Sequence, residues 1–597
     1  MCRIAGIINP SIATAAIKQM VGEMCRLQKH GGPDDEGIYE YEKQHLVLGH
    51  RRLALIDLSA AGHQPMMYGN RYVISFNGEI YNYPQLKTEL QQLGNSFTTN
   101  CDTEVILAAF SQWHVQSFAK LKGMFAFALF DKLKEELFLV RDPAGIKPLY
   151  YSINGQSLEF ASETKAFVSE TSKKINKSWP VFQLAYGHLP EPVTTLQNVQ
   201  PLHKGCFIKY NLGNHTHSLQ SFTHYSYSST ISNRQQAQQL LQQHIGKAVK
   251  RHLLADAPIG VFLSGGIDSS IITTVSAAHQ QQQLTTLSVY FREAVFSEKN
   301  YQDILIKKLQ CNNYQHLLKE EEFHQSFPSI LHAMDMPSCD GINTWFISKY
   351  AANRGLKAVL SGIGGDELFG GYPSFKRMAL TNLLQASPSF LLSAVRSRKH
   401  KKIRRLQYLK INGIKGRYLF LRGQFVPIEI AQQLDATEKE VWEILKEHPT
   451  YGPLNGIDAK NQAGWMEMNL YMQNQLLRDA DVMSMAHGVE IRVPLLDDEV
   501  IKTSLAISNP VKYAGNFNKQ LLIDAFKKEL PQEIWNRPKM GFSFPFTEWL
   551  ANSAYVKDLM MAADKNTKRS YRLFLQGRLH WSHIMSLVIL KNKAIAW

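Results

Sequence analysis

The sequence predicts a multidomain fold, an α+β unit followed by an α/β unit with a parallel sheet and a helical C-terminal extension. Three observations predict it. The chain has 597 residues, several times the ~100–200 of one domain. Its first two hundred residues are dense in short apolar strands separated by turns. From Pro258 onward, apolar strands run straight into glycine turns that open helices, the pattern of a parallel sheet with its ligand at the carboxyl edge.

In chain order, Tyr72–Phe76, Met124–Phe130, Leu137–Val140 and Leu149–Ser152 read as strands of the first unit. A polar stretch over 212–233, dotted with His215, His217 and His224, reads as a linker and not as a metal site, because no helical ligand register or cysteine accompanies it. Ser232 stands three residues before Gln235, a capping-box pattern, and Ala237, Leu240, Leu241, Ile245, Ala248 and Val249 continue at helical spacing. The second unit therefore starts near residue 234. Ile259–Leu263, Leu284–Phe291 and Lys357–Leu360 are its apolar strands. The first enters the turn Ser264–Asp268, and the third enters Ser361-Gly362-Ile363-Gly364-Gly365. The last two hundred residues read as mostly helical, and no internal repeat is present.

Composition narrows the function classes. Hydrophobic residues make up 44% and charged residues 20% of the chain, which excludes wholesale disorder and a fibrous repeat. No apolar run approaches a membrane span, and the start of the chain lacks the pattern of a secretory signal. The six cysteines, at 2, 25, 101, 206, 311 and 339, form no CxxC, so a zinc site and a disulfide framework are not expected and a cytoplasmic setting is. Net charge is +15. Much of it crowds into Arg396, Arg398, Lys399, Lys401, Lys402, Arg404 and Arg405, with no interleaved aromatics to stack bases. A solvated surface is expected there and not a nucleic-acid site.

Two motif groups carry chemistry. Cys2, once the initiator methionine is removed, holds a thiol and an α-amine on one residue, and that amine has a reference pKa of ~7.7–8, fit to take the thiol proton. Asn77-Gly78 after a strand offers a carboxamide and an unhindered N–H for an oxyanion hole, or else forms a hairpin turn. Arg52 can fork onto a carboxylate, and Glu79 or Asp102 can hold an ammonium group. Together these suggest acyl transfer from an amino-acid amide. In the second group, Leu263-Ser264-Gly265-Gly266-Ile267-Asp268-Ser269-Ser270 points N–H groups and hydroxyls at an anion without being a Walker A loop. A carboxylate inside such a cradle calls for a bridging cation, and Mg²⁺ is the natural one.

The first group, with Arg52-Leu53, Asp102-Thr103-Glu104, Gly123–Phe127 and Arg141–Tyr150, resembles class II glutamine amidotransferases. The resemblance implies an N-terminal-nucleophile αββα sandwich over 2–211 with Cys2 as nucleophile and Asn77 with Gly78 as oxyanion hole. It also implies that Arg52 binds the glutamine α-carboxylate, that Glu79 and Asp102 bind its α-amine, and that Leu53, Ala54, Leu55 and Ile56 line the pocket. One departure stands out: the family usually reads His-Arg-Gly-Pro-Asp where this chain has His30-Gly31-Gly32-Pro33-Asp34, a change expected to loosen the glutamine site.

Ser-Gly-Gly-x-Asp-Ser is the signature of PP-loop ATP pyrophosphatases, and the whole chain resembles the glutamine-hydrolysing asparagine synthetase family. Asp366–Tyr372, Met483–His487, Glu490–Pro494 and Asn536–Phe542 extend the likeness over 234–597. The resemblance implies ATP contacts from Phe262, Leu263, Ser264, Gly265, Gly266, Asp268, Ser269, Val289, Ser361 and Gly362. It implies Mg²⁺ on Asp268 and Asp366, and Lys539 neutralising charge on phosphate. The implied reaction forms an acyl-adenylate, which ammonia from the first domain attacks through an internal tunnel. A homodimer is implied by analogy alone. Ile363 stands where the family has an acidic residue; Asp340 is a candidate replacement, or Asp340-Gly341 is simply a turn, and the acceptor is aspartate or another carboxylate such as a sugar acid. A PP-loop tRNA-modifying enzyme and a non-catalytic interaction protein are the readings from other classes.

Overall fold

The computed structural model describes residues 2–280, 284–388, 392, 401–452, 454, 456–538, 540, 541 and 544–592. Two six-stranded antiparallel sheets stack face to face in the N-terminal half. One runs Gln200–Pro201, Tyr150–Asn154, Ser157–Ala161, Arg3–Ile8, Leu46–Arg52, Asp35–Tyr41 in spatial order. The other runs His217–Ser221, Cys206–Asn211, Glu136–Arg141, Gly123–Asp131, Tyr72–Ile80, Met66–Tyr68. Side-chain alternation explains the stacking. Ile4 and Ile8 meet Ala126, Ala128 and Phe130 between the sheets. Ala5 and Ile7 face the other way, onto Ile17, Val21 and Met24 of helix Thr14–Leu27. Phe125, Phe127 and Leu129 pack outward against Val105, Ile106 and Phe110 of helix Asp102–Trp113. The result is the αββα sandwich.

The stretch expected to be linker is more structured than its polar composition suggests. His217–Ser221 is fully exposed yet pairs along Cys206–Asn211, so backbone hydrogen bonds and not apolar burial hold it, and the sheet runs past residue 211. Tyr225 and Tyr227 then donate to Asp498 (3.3 Å) and the Asn461 carbonyl (3.0 Å), laying the segment across the second unit. The next helix is Arg234–His252, and its cap is Asn233, not Ser232: the Asn233 side chain accepts from the Gln236 N–H at 2.9 Å. Asparagine reaches that amide one residue closer than the expected serine.

The second unit is built on a parallel sheet ordered Asn312–Leu317, Thr285–Tyr290, Ile259–Phe262, Ala358–Leu360, Glu490–Arg492. Strand order reverses between Ile259–Phe262 and Ala358–Leu360, so the two glycine turns that follow them leave a crevice at the carboxyl edge. The remainder is helical. No helix among the described residues is long and apolar enough to cross a membrane. Arg404 pairs with Glu429 (2.9 Å) and Arg405 donates to the Gly423 carbonyl (2.7 Å), so two cations of the basic cluster serve internal contacts. Arg396, Arg398 and Lys399 lie outside the described residues.

Candidate functional site: two pockets joined by a charged interface

Cys2 precedes the first strand and is 8% exposed. That strand pairs Arg3 with Arg51, so one residue further on Cys2 falls opposite Arg52. Its Sγ lies 3.9 Å from the Leu53 carbonyl oxygen. Burial pushes the thiol up to about 11, so it needs a base to react near neutrality.

Asn77 and Gly78 sit inside strand Tyr72–Ile80, opposite Ala126 and Phe125, which excludes the hairpin turn. Asn77 is wholly buried, and neither its Nδ2 nor its Oδ1 has a hydrogen-bond partner among the described residues. A buried carboxamide left unpaired costs about 1–3 kcal/mol, an expense a folded protein rarely carries without a ligand to satisfy it. Gly78 has φ +152°, and a Cβ there would collide with the Met124 carbonyl, so only glycine fits.

Arg52 is turned onto the Ser59 carbonyl (2.9 Å) and the Asp57 carbonyl, and the absent side chain of Gly62 leaves room for its guanidinium. Asp102 accepts from the Ile80 N–H at 2.9 Å, and burial pushes its carboxyl up to about 6. Burial also raises Glu79 well above the carboxylate range. Arg492 lies 3.4 Å from Glu79 but 2.7 Å from Glu490, so it holds the Glu490 carboxyl below the usual range while burial still raises that of Glu79. An incoming ammonium group would draw Glu79 and Asp102 into their charged forms. Leu53, Leu55 and Ile56 are buried, Ala54 half-buried, and the Leu55 carbonyl accepts from the Asp256 N–H at 2.9 Å.

The crevice of the second unit is a cavity of about 500 Å³. Phe262, Leu263, Ser264, Gly266, Asp268, Ser269, Val289, Ser361 and Gly362 line it. Gly265 does not: with φ +88° it turns behind the loop, and its carbonyl accepts from Arg537 at 2.9 Å. The two glycine turns interlock, since a Cβ on Gly362 would lie 2.9 Å from the Ser269 nitrogen and one on Gly365 would strike the Asp268 carboxylate. Ser264 Oγ and Ser269 Oγ are 2.9 Å apart at the mouth of helix Ile267–His279, where first-turn N–H groups favour an anion.

Asp268 and Asp366 converge. Both approach the Lys519 ammonium, at 2.7 and 2.8 Å. Two carboxylates that converge on one cation are hard oxygen donors, the donor chemistry that Mg²⁺ takes. Lys519 had no motif to announce it. Arg537, which stacks on Tyr301 at 3.8 Å and pairs with Glu298 at 2.6 Å, was visible only within Asn536-Arg537-Pro538. Lys539 lies outside the described residues, while Pro538, Met540 and Gly541 line the cavity.

Asp340 and Ile363 also line the cavity, joined by Glu367 and Asp479, which the sequence did not single out. Burial pushes both Glu367 and Asp479 up to about 7. Glu367 accepts from the Tyr372 hydroxyl (2.7 Å) and Asp479 from the Ser338 hydroxyl (2.5 Å). Lys376, which is exposed, is a further cation of the lining.

The expected loosening at Gly31 meets a compensating neighbour. A Cβ on Gly31 would lie 2.7 Å from Arg3 Cγ and 2.8 Å from Arg3 Nε, so the Arg3 side chain fills the space that a residue-31 side chain would enter.

A nucleophile sandwich docked on an ATP-type parallel sheet defines a glutamine-dependent amidotransferase ligase. Comparison with known proteins agrees: residues 1–223 match the glutamine amidotransferase domain model, and residues 240–580 match the asparagine synthase model. The chain belongs to the asparagine synthase family. It is 32% identical over 575 residues to a glutamine-hydrolysing asparagine synthetase of Bacillus subtilis, covering 92% of this chain and 88% of that one. It is 30% identical over 586 residues to a putative asparagine synthetase of Mycobacterium tuberculosis, covering 92% and 87%. A putative asparagine synthetase of Methanocaldococcus jannaschii matches at 32% over 415 residues, 66% of this chain and 79% of that one.

Proposed function

We propose that the chain converts aspartate to asparagine with glutamine as nitrogen donor. The Cys2 thiol, deprotonated by the α-amine that methionine removal frees, adds to the glutamine carboxamide. Its oxyanion is met by the Asn77 side chain and the Gly78 N–H. Ammonia leaves, and water hydrolyses the thioester to glutamate. In the second pocket the acceptor carboxylate attacks the α-phosphate of ATP, pyrophosphate departs, and ammonia displaces AMP. Asp268 and Asp366 would hold Mg²⁺, which when bound would supply charge neutralisation on the phosphates. Lys519 and Arg537 add positive charge on that side, and the helix at Ile267 receives the phosphate.

The observation that carries the choice of acceptor is the set of three carboxyl groups, Asp340, Glu367 and Asp479, that line the cavity. An ammonium on the acceptor satisfies them, and the exposed Lys376 can take a second carboxylate. A sugar acid has no ammonium and would leave three acids facing hydroxyls. Asp340 then stands in for the acid missing at Ile363. The six cysteines are all free, which supports a reducing, cytosolic setting. The test is glutamine-dependent release of AMP and pyrophosphate across aspartate, other amino-bearing acids and uronic acids. Aspartate turnover is expected, and turnover only with an acid lacking an amine refutes the assignment.

A further inference from the structure

Arg3 is wholly buried one residue from Cys2. Its Nε donates to Glu163 Oε1 at 2.6 Å, its Nη1 to the Cys2 carbonyl at 3.4 Å, and its Nη2 lies 3.0 Å from Asp481 Oδ2. Asp481 belongs to helix Arg478–Met485 of the synthetase half. Lys147, also wholly buried, approaches the other Asp481 oxygen at 3.7 Å. Neither Asp481 oxygen accepts an aligned hydrogen bond among the described residues, nor does the Lys147 ammonium donate one. The ions touch without being locked in direction.

Two residues before Asp481 on the same helix, Asp479 faces the acceptor cavity. The link is reinforced beside it. The Thr164 and Lys165 amides, next to Glu163, donate to Asp335 at 2.9 and 3.0 Å, five residues before Asp340. Burying such charges costs several kcal/mol each, and they hold together only as a set. Displacing the helix from the acceptor side therefore acts on Arg3, and through it on the backbone of Cys2.

We propose that Arg3 is a positioning residue that ties the nucleophile's strand to the helix carrying Asp479, so that glutamine hydrolysis answers to the acceptor pocket. The proposal rests on the glutaminase reading of Cys2, and that reading has its own control: Cys2→Ala must abolish glutamate release. The test is a mutant cycle on glutamine hydrolysis by the full chain. Arg3→Met and Asp481→Asn each lower kcat/KM about fivefold or more, in kcat and not in KM. The double variant falls no further than the worse single one. Asp479→Asn shifts kcat with Arg3 present and leaves it unchanged in the Arg3→Met background. If Arg3→Met does not fold, Arg3→Gly with Gly31→Arg takes its place. That pair feeds a guanidinium into the same space from residue 31 and restores kcat relative to Arg3→Gly alone. Additive effects, unchanged kcat in Asp481→Asn, or an Asp479→Asn effect that persists without Arg3 each overturn the proposal.

Discussion

Replacing Asn77 with alanine separates glutamine chemistry from amide synthesis. The carboxamide makes no hydrogen bond among the described residues, so the substitution breaks none of those. Removing a buried, unpaired amide returns about 1–3 kcal/mol. The cavity left, roughly thirty cubic ångströms at about 24 cal/mol per Å³, costs about 0.7 kcal/mol. The variant should therefore be as stable as the parent or slightly more so. Catalysis should suffer differently: losing one oxyanion donor costs about 10²–10³ in kcat, or about 2.7–4 kcal/mol of barrier. Steady-state glutamate release and a thermal melt report the two quantities. Ammonia-driven synthesis, which bypasses Cys2, should be unaffected. A kcat loss below tenfold, or a clear drop in melting temperature, would show that Asn77 is a packing residue.

Lys519→Met leaves Asp268 and Asp366 without the ammonium they share. Glutamine-driven and ammonia-driven synthesis should fall together by about tenfold or more, while glutamate release continues. Asp340→Asn should raise the acceptor KM about 10- to 100-fold, the worth of a charged hydrogen bond, with KM for ATP unchanged. Asp479 gives a pH signature. Its folded pKa of about 7 exceeds the unfolded value of ~3.9, so the protonated form favours folding. That contribution is complete below pH ~3.9 and is lost as pH rises through 7. Asp479→Asn should remove this slope, so melts of the variant gain on the parent between pH 5 and pH 8. Parallel curves would contradict the shift.

Much of this was legible in the sequence because period-two alternation and glycine turns are local signals. The strands expected over Tyr72–Phe76 and Ile259–Leu263 are present, the first running on through Asn77 and Gly78 to Ile80 and the second ending at Phe262, and both glycine turns reached the crevice. What failed was non-local. His217–Ser221 looks like a linker because its side chains are polar, yet its strand is held by main-chain pairing to a neighbour. Lys519, in the turn before a helix, and Glu367 and Asp479, within two others, are far apart in sequence, and only the packing of the unit brings them to one cavity. That the Arg3 side chain, twenty-eight positions earlier, packs against Gly31 is likewise a contact no local pattern announces.

The most direct test of nitrogen transfer within this chain uses glutamine labelled with ¹⁵N in its amide, with ATP, aspartate and an excess of unlabelled ammonium. Mass spectrometry of the parent enzyme's product should show the heavy amide predominating, with one AMP formed per amide, whereas in Cys2→Ala the heavy amide is lost and what product forms carries the unlabelled nitrogen. A product of the parent enzyme carrying the unlabelled nitrogen, or an amide formed without AMP, would contradict the account.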